Sequence, residues 1–369
     1  MKSILLNIIF ASILVAACVF QSCKNDFELN APYEAIPVVY GFIDPSVDTQ
    51  FVKINKTFVG DGNNSLYAGI RDSVEFENVS GTVDEYDENG DLTNSWDLEE
   101  ISVGGIEDGI FYEDFQTLYY FVPAAGIDFD ATYKLNININ EGEKLVSAET
   151  EVIKGFNFSS VFKGQLVGGA NFAFSNSSGD DSYPSFEVSW TTAEGGRRFE
   201  PSLVFIYDEY TAGDTTKKTI TWNLGSQTTS DADGGKQLDV KIQGDAFYQF
   251  LEGNLANNPI EAAVTKRVLD RLEFYVTVAD EDLNTYIEIS QPSLGIITER
   301  PTFTNITGGI GLFASRYTDG HISTGVKKLT LNAASSKELC IGQFTGAYKF
   351  CTDSLGLSTH PTSPSPYCP

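Results

Sequence analysis

The stretch Tyr133-Lys134-Leu135-Asn136-Ile137-Asn138-Ile139-Asn140 alternates apolar and polar side chains without a break. A period of two puts Tyr133, Leu135, Ile137 and Ile139 on one face of an extended chain, and the lysine and asparagines on the other. Wound into a helix, the same residues would scatter their apolar groups around the axis. The stretch is therefore a strand with one buried and one wet face.

Its neighbours read the same way. Lys144 to Val152 follows it. Val79 to Tyr86 and Ser95 to Leu98 precede it, flanking Asp87-Glu88-Asn89-Gly90-Asp91. Asn-Gly between two such runs predicts a hairpin with a type I′ turn, because both residues accept positive φ. Further upstream, Val52 and Ile54 alternate with Lys53 and Asn55, and Ile36-Pro37-Val38-Val39-Tyr40-Gly41 opens the first strand. Residues 36–153 are predicted to form an N-terminal β-sandwich-like domain.

Phe156 to Asp181 is rich in Gly, Ser and Asn and reads as a linker into a second β-rich domain, 154–338. Its predicted strands include Phe186 to Trp190, Leu203 to Tyr207, Thr219 to Leu224, Leu238 to Ile242 and Arg271 to Ala279. The rhythm breaks near 245–257, where Phe247, Phe250, Leu251 and Leu255 share a helical face that Asn257-Asn258-Pro259 terminates. Asp280 stands where the N-cap of a short helix belongs. The fold class is mostly β: two β-sandwich-like (Ig-like) domains, the second carrying one inserted amphipathic helix. Residues 339–369 form a disulfide-bearing segment and a Pro/Ser-rich tail.

Composition narrows the function. The 369 residues hold 51 Asp plus Glu against 24 Lys plus Arg, a formal charge of −27. That field repels polyanions, so nucleic acid is excluded as a partner. It also repels anionic lipid surfaces, so any membrane attachment has to come from elsewhere.

The N-terminus supplies it. Lys2 precedes an apolar run from Ile4 to Phe20, the length of a secretory signal core and short for a bilayer span. Val15-Ala16-Ala17-Cys18 and Phe20-Gln21-Ser22-Cys23 both resemble a lipobox, in which small residues precede a cysteine that is diacylated and becomes the mature N-terminus. Cys23 is preferred over the alternative Cys18, because Lys24-Asn25-Asp26-Phe27-Glu28 follows it directly. This charged segment resembles surface-exported lipoproteins of the Bacteroidota. The assignment is a signal peptide over 1–22, lipid on Cys23 and a tether over 23–35. Two acyl chains on one cysteine meet the requirement for lasting attachment. An uncleaved anchor is the competing reading.

A wider resemblance rests on Val38-Val39-Tyr40-Gly41 with Asp44-Pro45, Ile54-Asn55-Lys56-Thr57-Phe58, and Asp282-Leu283-Asn284-Thr285-Tyr286-Ile287. It continues in Thr304-Asn305-Ile306-Thr307-Gly308-Gly309-Ile310-Gly311-Leu312-Phe313 and in Lys337-Glu338-Leu339-Cys340 with Phe350-Cys351. Together these are similar to a family of uncharacterised Bacteroidota lipoproteins, a domain of unknown function. The resemblance implies an outer-membrane protein working beside a TonB-dependent transporter.

Candidate chemistry is sparse. Gly308-Gly309-Ile310-Gly311 lacks the Lys-Ser/Thr ending of a phosphate loop and reads as a strand in which glycines permit a bulge or close backbone approach. Asp87, Asn89 and Asp91 resemble the start of a calcium loop, but Leu92 stands where glycine is required, so a hairpin turn is favoured. Asp231 and Asp233 are read likewise. The two histidines, His321 in an apparent turn and His360, exclude a His-rich zinc site, and no Gly-x-Ser-x-Gly elbow supplies a nucleophile. No cofactor and no catalytic residue are assigned.

Trp190 and Trp222 fall on buried strand faces, whereas Trp96, beside the acidic hairpin, is the candidate surface contact. Cys340 and Cys351 suit a hairpin loop closed by a disulfide in an oxidising compartment, worth on the order of 3 kcal/mol. Cys368 is left over. The expectation is a lipid-anchored outer-membrane protein, exposed at the cell surface or facing the periplasm. It would have a non-enzymatic binding or accessory role; the alternative is a glycan-binding or carbohydrate-active surface lipoprotein.

Overall fold

A computed structural model describes residues 34–58, 65–104, 116–158, 171–176, 182–258, 261–291, 302–321 and 329–351. The signal peptide, Cys18, Cys23, most of the tether, His360 and Cys368 lie outside the described residues.

The alternating stretch forms β7 (Thr132–Ile139), where Tyr133, Leu135, Ile137 and Ile139 are all buried. It sits inside an antiparallel sheet ordered β4 (Leu92–Asp97), β3 (Val79–Tyr86), β7 and β8 (Lys144–Glu151). Opposite it lie β1 (Pro37–Ile43), β2 (Gln50–Lys56), β5 (Glu99–Val103) and β6 (Gln116–Phe121). Val39, Val52, Ile54, Tyr119 and Phe121 from this layer meet Val83 and the four β7 side chains to form the first core.

The hairpin between β3 and β4 is where expected, but its turn differs. Only Gly90 has positive φ (81°), and its N–H donates to the Asp87 carbonyl at 2.9 Å. This is a right-handed turn followed by one left-handed glycine, not a type I′ turn. The extra residue goes with the register shift at Glu85/Tyr86.

The second core is larger and assembled differently. Its floor is the long antiparallel pair β12 (Arg198–Thr211) and β16 (Val264–Ala279), with β13 (Asp214–Asn223) outside β12. Its roof joins a three-stranded sheet of β9 (Asn157–Phe158), β11 (Ser185–Thr191) and β15 (Gln237–Gln243) to a two-residue parallel pair, β10 (Asn171–Phe172) with β18 (Thr330–Leu331). Helix α1 (Gly244–Leu255) matches the inserted helix, burying Phe247, Tyr248, Leu251 and Leu255. Trp190 is fully buried here, and Trp222 stacks on Phe250 with centroids 5.0 Å apart. β9 and β10 fall inside the segment read as a linker.

Two cores appear where two domains were expected, yet one sheet runs through both. β17 (Ile310–His321) pairs antiparallel with β16 and parallel with β1, giving the order β13-β12-β16-β17-β1-β2-β6-β5. Late residues Ile306 and Phe313 thereby complete the first core. The glycine cluster makes this approach possible. A Cβ on Gly311, whose φ is +124°, would lie 1.9 Å from the Val39 carbonyl oxygen; one on Gly308 would lie 2.2 Å from that of Leu145. The close-approach reading of these glycines holds. Thr318 to His321 extends β17 and is not a turn.

Helix α2 (Glu281–Ser290) begins as predicted, with Asp280 accepting from the Leu283 N–H at 2.8 Å. Leu283 packs with Ala279, Leu312 and Ala314 on the outer face of the shared sheet.

The expected Cys340–Cys351 hairpin is corrected. Ala333–Ile341 is a helix, α3, capped by Asn332, and it buries Cys340 as a free thiol in the second core. Cys351 is pinned elsewhere: its N–H donates to the Arg267 carbonyl at 2.8 Å, beside a bridge between Phe350 and Arg267. It is disulfide-bonded to a partner outside the described residues.

Candidate functional site: an acidic cleft at the seam of the two cores

A cleft of about 850 Å³ opens where the two cores meet, lined by the β3–β4 turn, the start of β7, the end of β8, the turn after β11 and the start of α2. Nine carboxylates line it against two lysines. A chain this acidic has charge to spare, but here carboxylates from both halves of the sequence face one space.

Its walls are fixed by cross-links between the halves. The Lys154 N–H donates to the Glu194 carbonyl at 3.0 Å, and Lys154 Nζ reaches Asp130 at 2.8 Å and Glu194 at 3.6 Å. The Asp130 carboxylate raises the lysine above its ordinary pKa. Gly195, at φ +81°, lets that turn lie against Ile153. Behind the cleft, Ser315 is fully buried, and its hydroxyl accepts from the Ile153 N–H at 3.0 Å.

Asp280 stands at the start of α2. Besides capping α2, its carboxylate accepts from the Ser315 N–H at 2.5 Å and the Thr150 hydroxyl at 3.3 Å. Burial pushes it up to about 6 against the pull of these donors. Nearer the mouth, Asp87 accepts from the backbone N–H groups of Asp91 and Asn89, which hold it below its ordinary value. Lys134 pairs with Glu149 at 3.2 Å and sits over the Tyr86 ring. Arg197 pairs with Glu281. Glu88 and Glu151 are exposed and form no ion pair among the described residues.

Of the residues read from sequence, the turn residues Asp87, Glu88 and Gly90, the strand residue Lys134, the cap Asp280 and Asp282 come to this cleft, none of them read as a site. Asp231 is tied to Lys236 and to the Asp233 N–H, as a turn requires. Trp96 is half-buried: its ring stacks on Tyr133 at 6.3 Å and leans on Phe121 at 5.6 Å. The cross-linking residues Lys154 and Glu194 carry no motif, so the sequence offers no signal that would join them.

Among the described residues, no three His, Cys, Asp or Glu side chains converge closely enough to hold a metal ion. Nor is any helix there long and apolar enough to cross a membrane. No protein-family model and no curated protein matches the chain. Among solved structures, the crystal structure of CBD12 from CALX1.2 aligns over 76% of this chain and 100% of its own, at 9% identity and a TM-score of 0.13. A likeness that weak carries no argument about fold or function.

Proposed function

We propose that this is a lipid-anchored outer-membrane protein with a non-enzymatic binding role, acting beside a TonB-dependent transporter and presenting its acidic cleft to a cationic ligand or a basic partner surface. The observation that carries the reading is the cleft itself. Carboxylates from both cores face one space whose walls are braced by Lys154 and Ser315, so the charge is held on a rigid frame. A preformed acidic concavity raises the local concentration of cations and steers a basic partner toward it. The N-terminal lipid would confine the protein to the membrane and raise its effective concentration near the transporter.

The test is a pull-down of the lipidated protein from gently solubilised outer membranes, with surface proteolysis on intact cells. The wild type recovers a transporter in stoichiometric amount and is cleaved from outside. A Glu88→Lys/Glu151→Lys variant, altered only at exposed groups, stays folded and loses that recovery. A protein that comes down alone and resists external protease would overturn the transporter and surface assignments. Equal recovery by the variant would remove the cleft from the proposal.

A further inference from the structure

The two outer faces of the first sandwich differ. Across β3 and β7 the outward pairs are Ser80 with Asn138, Thr82 with Asn136 and Asp84 with Lys134, polar throughout, as befits an antiparallel sheet with one wet face. Across β1, β2, β6 and β5 the outward residues are largely apolar, while Val39, Val52 and Tyr119 of the same strands point into the core. Tyr40, Phe51, Ile101 and Val103 lie on this outer face with Ile310 of β17, each 36–47% exposed, and Leu118 and Tyr120 are half-buried between them. The register makes them one surface: Val38 pairs with Ile310, Tyr40 with Lys53, Phe51 with Tyr120, and Leu118 with Ile101.

Helix α2 covers only the adjoining part of the sheet, where Leu283 packs with Leu312 and Ala314 and where Phe42 and Tyr286 join them. Its cover ends at Tyr286, whose hydroxyl lies 2.9 Å from that of Tyr40. Beyond Tyr40 the face stays open. Lys53 stands within it, with its ammonium on the Gln116 amide oxygen, and Glu99 marks a corner, accepting from the Tyr120 hydroxyl at 2.7 Å. A contiguous apolar face of this kind serves a protein partner or a membrane. A second copy would bring another charge of −27 against this one and would bury Lys53, a residue type that interface cores exclude. The bilayer interface accepts the same composition. Aliphatic side chains enter the acyl boundary, while tyrosine hydroxyls and a lysine ammonium meet headgroup oxygens.

The chain also delivers this face to the membrane. Ile36 leads directly into β1, and on the lipid-anchor reading only residues 24–35 separate it from Cys23. A chain of that length spans at most about 45 Å, which holds the body beside the bilayer at an effective concentration on the order of millimolar. At such a concentration a weak apolar contact is enough. We propose that the outward face of β1, β2, β6 and β5 docks on the lipid surface, with Phe51, Ile101 and Val103 entering the interface and Lys53 meeting lipid phosphate. The proposal rests on the lipid-anchor reading and adds an orientation to it, since a body docked in this way does not swing free on its tether.

The experiment replaces the native lipid with another anchor. The mature chain from Lys24, with an N-terminal polyhistidine tag, is held on phosphatidylcholine vesicles containing a nickel-chelating lipid, and Phe51→Trp serves as the reporter. In vesicles of brominated phosphatidylcholine the added emission should be blue-shifted and quenched, while Trp96, Trp190 and Trp222, buried or half-buried elsewhere, keep their signal. Ile101→Ser/Val103→Ser, changed only at exposed positions of an edge strand, should fold as the wild type does and cut the quenching severalfold. Unquenched Phe51→Trp on the anchored chain overturns the proposal, as does quenching that the double variant leaves unchanged. So does a lipid-free dimer in analytical ultracentrifugation that Phe51→Glu dissolves, which would give the face to a second copy. Mass spectrometry of the native protein tests the anchor separately: a mature chain without acyl groups would overturn the lipid-anchor reading, whatever the vesicles show.

Discussion

The two cores solve the same problem by different means. The first is a sandwich of regular strands, where β7 inserts a side chain at every second position and the opposing layer answers with Val39, Val52, Ile54 and Phe121. The second is roofed by fragments. Strands of two residues, a helix and the segment after β18 converge on an aromatic cluster in which Phe174 lies 4.4 Å from Phe247 and Phe172 lies 4.5 Å from Phe186. Periodic strands carry their own packing instructions, whereas fragments get theirs from whatever covers them. The second core accordingly leans on a buried ion-paired anchor, Arg267, where the first buries Glu85 among hydroxyl and amide donors.

That contrast can be attacked directly, because Trp96 reports on the first core and Trp190 and Trp222 on the second. The largest effect is expected at Arg267, which is fully buried and holds Glu209 at 2.8 Å and Glu261 at 2.5 Å. Arg267→Met leaves both carboxylates unpaired and should cost about 3–5 kcal/mol. In denaturant titrations the Trp190 and Trp222 transition moves first while Trp96 lags; a single common transition would mean the cores unfold as one.

Gly311→Ala attacks the strand that both cores share. Its positive φ and the Val39 carbonyl leave no room for a methyl group, so a loss of about 2–4 kcal/mol is expected, with all three tryptophan signals shifted together. Ser335→Ala is smaller and local. The Ser335 hydroxyl accepts from the Phe174 and Ser175 N–H groups at 2.8 and 3.0 Å, and orphaning them should cost about 2 kcal/mol in the second core alone.

Proton titration separates the first core from the seam. Burial alone would raise Glu85, but the side chains of Thr93, Tyr133 and Asn94 donate to it and hold it below the usual carboxylate range. Its contribution to stability is therefore present at neutral pH and lost as the pH falls through its lowered pKa. Asp280 runs the other way. With a native value near 6 against an ordinary 3.8, its share is full below about 3.8 and lost as the pH rises through about 6. Carbon-13 NMR of the two carboxyls checks both signs, and a midpoint for Asp280 at or below 4 would show that its backbone donors outweigh burial. The smallest effect is chemical: burial pushes the Cys340 thiol up to about 12, so it should stay unlabelled by alkylating reagents until the second core unfolds.

These differences track what could be read from sequence. β7, α1 and the Asp280 cap declare themselves, because period, apolar spacing and capping chemistry are local. The glycines of 308–311 declared a close approach but not its partner, since nothing in the residues near Gly311 names Val39. Cys340 misled because spacing between cysteines says nothing of the helix that carries the first of them; the Asn332 cap was the available clue to α3. The cleft was illegible because it is made by tertiary contacts between residues whose local sequence serves another purpose, a turn, a cap or an alternating strand.

The parallel pairing of β1 with β17 has a mechanical side. The chain preceding Pro37 leads straight into β1, which lies inside the long sheet between β17 and β2. Tension applied through the N-terminus therefore enters at an interior strand and not at an edge. Six registered residue pairs, from Val38 with Ile310 to Ile43 with Ser315, would resist sliding together instead of opening one at a time. A sheet loaded in this way behaves as a clamp, and single-molecule pulling from the N-terminus should meet its main resistance there.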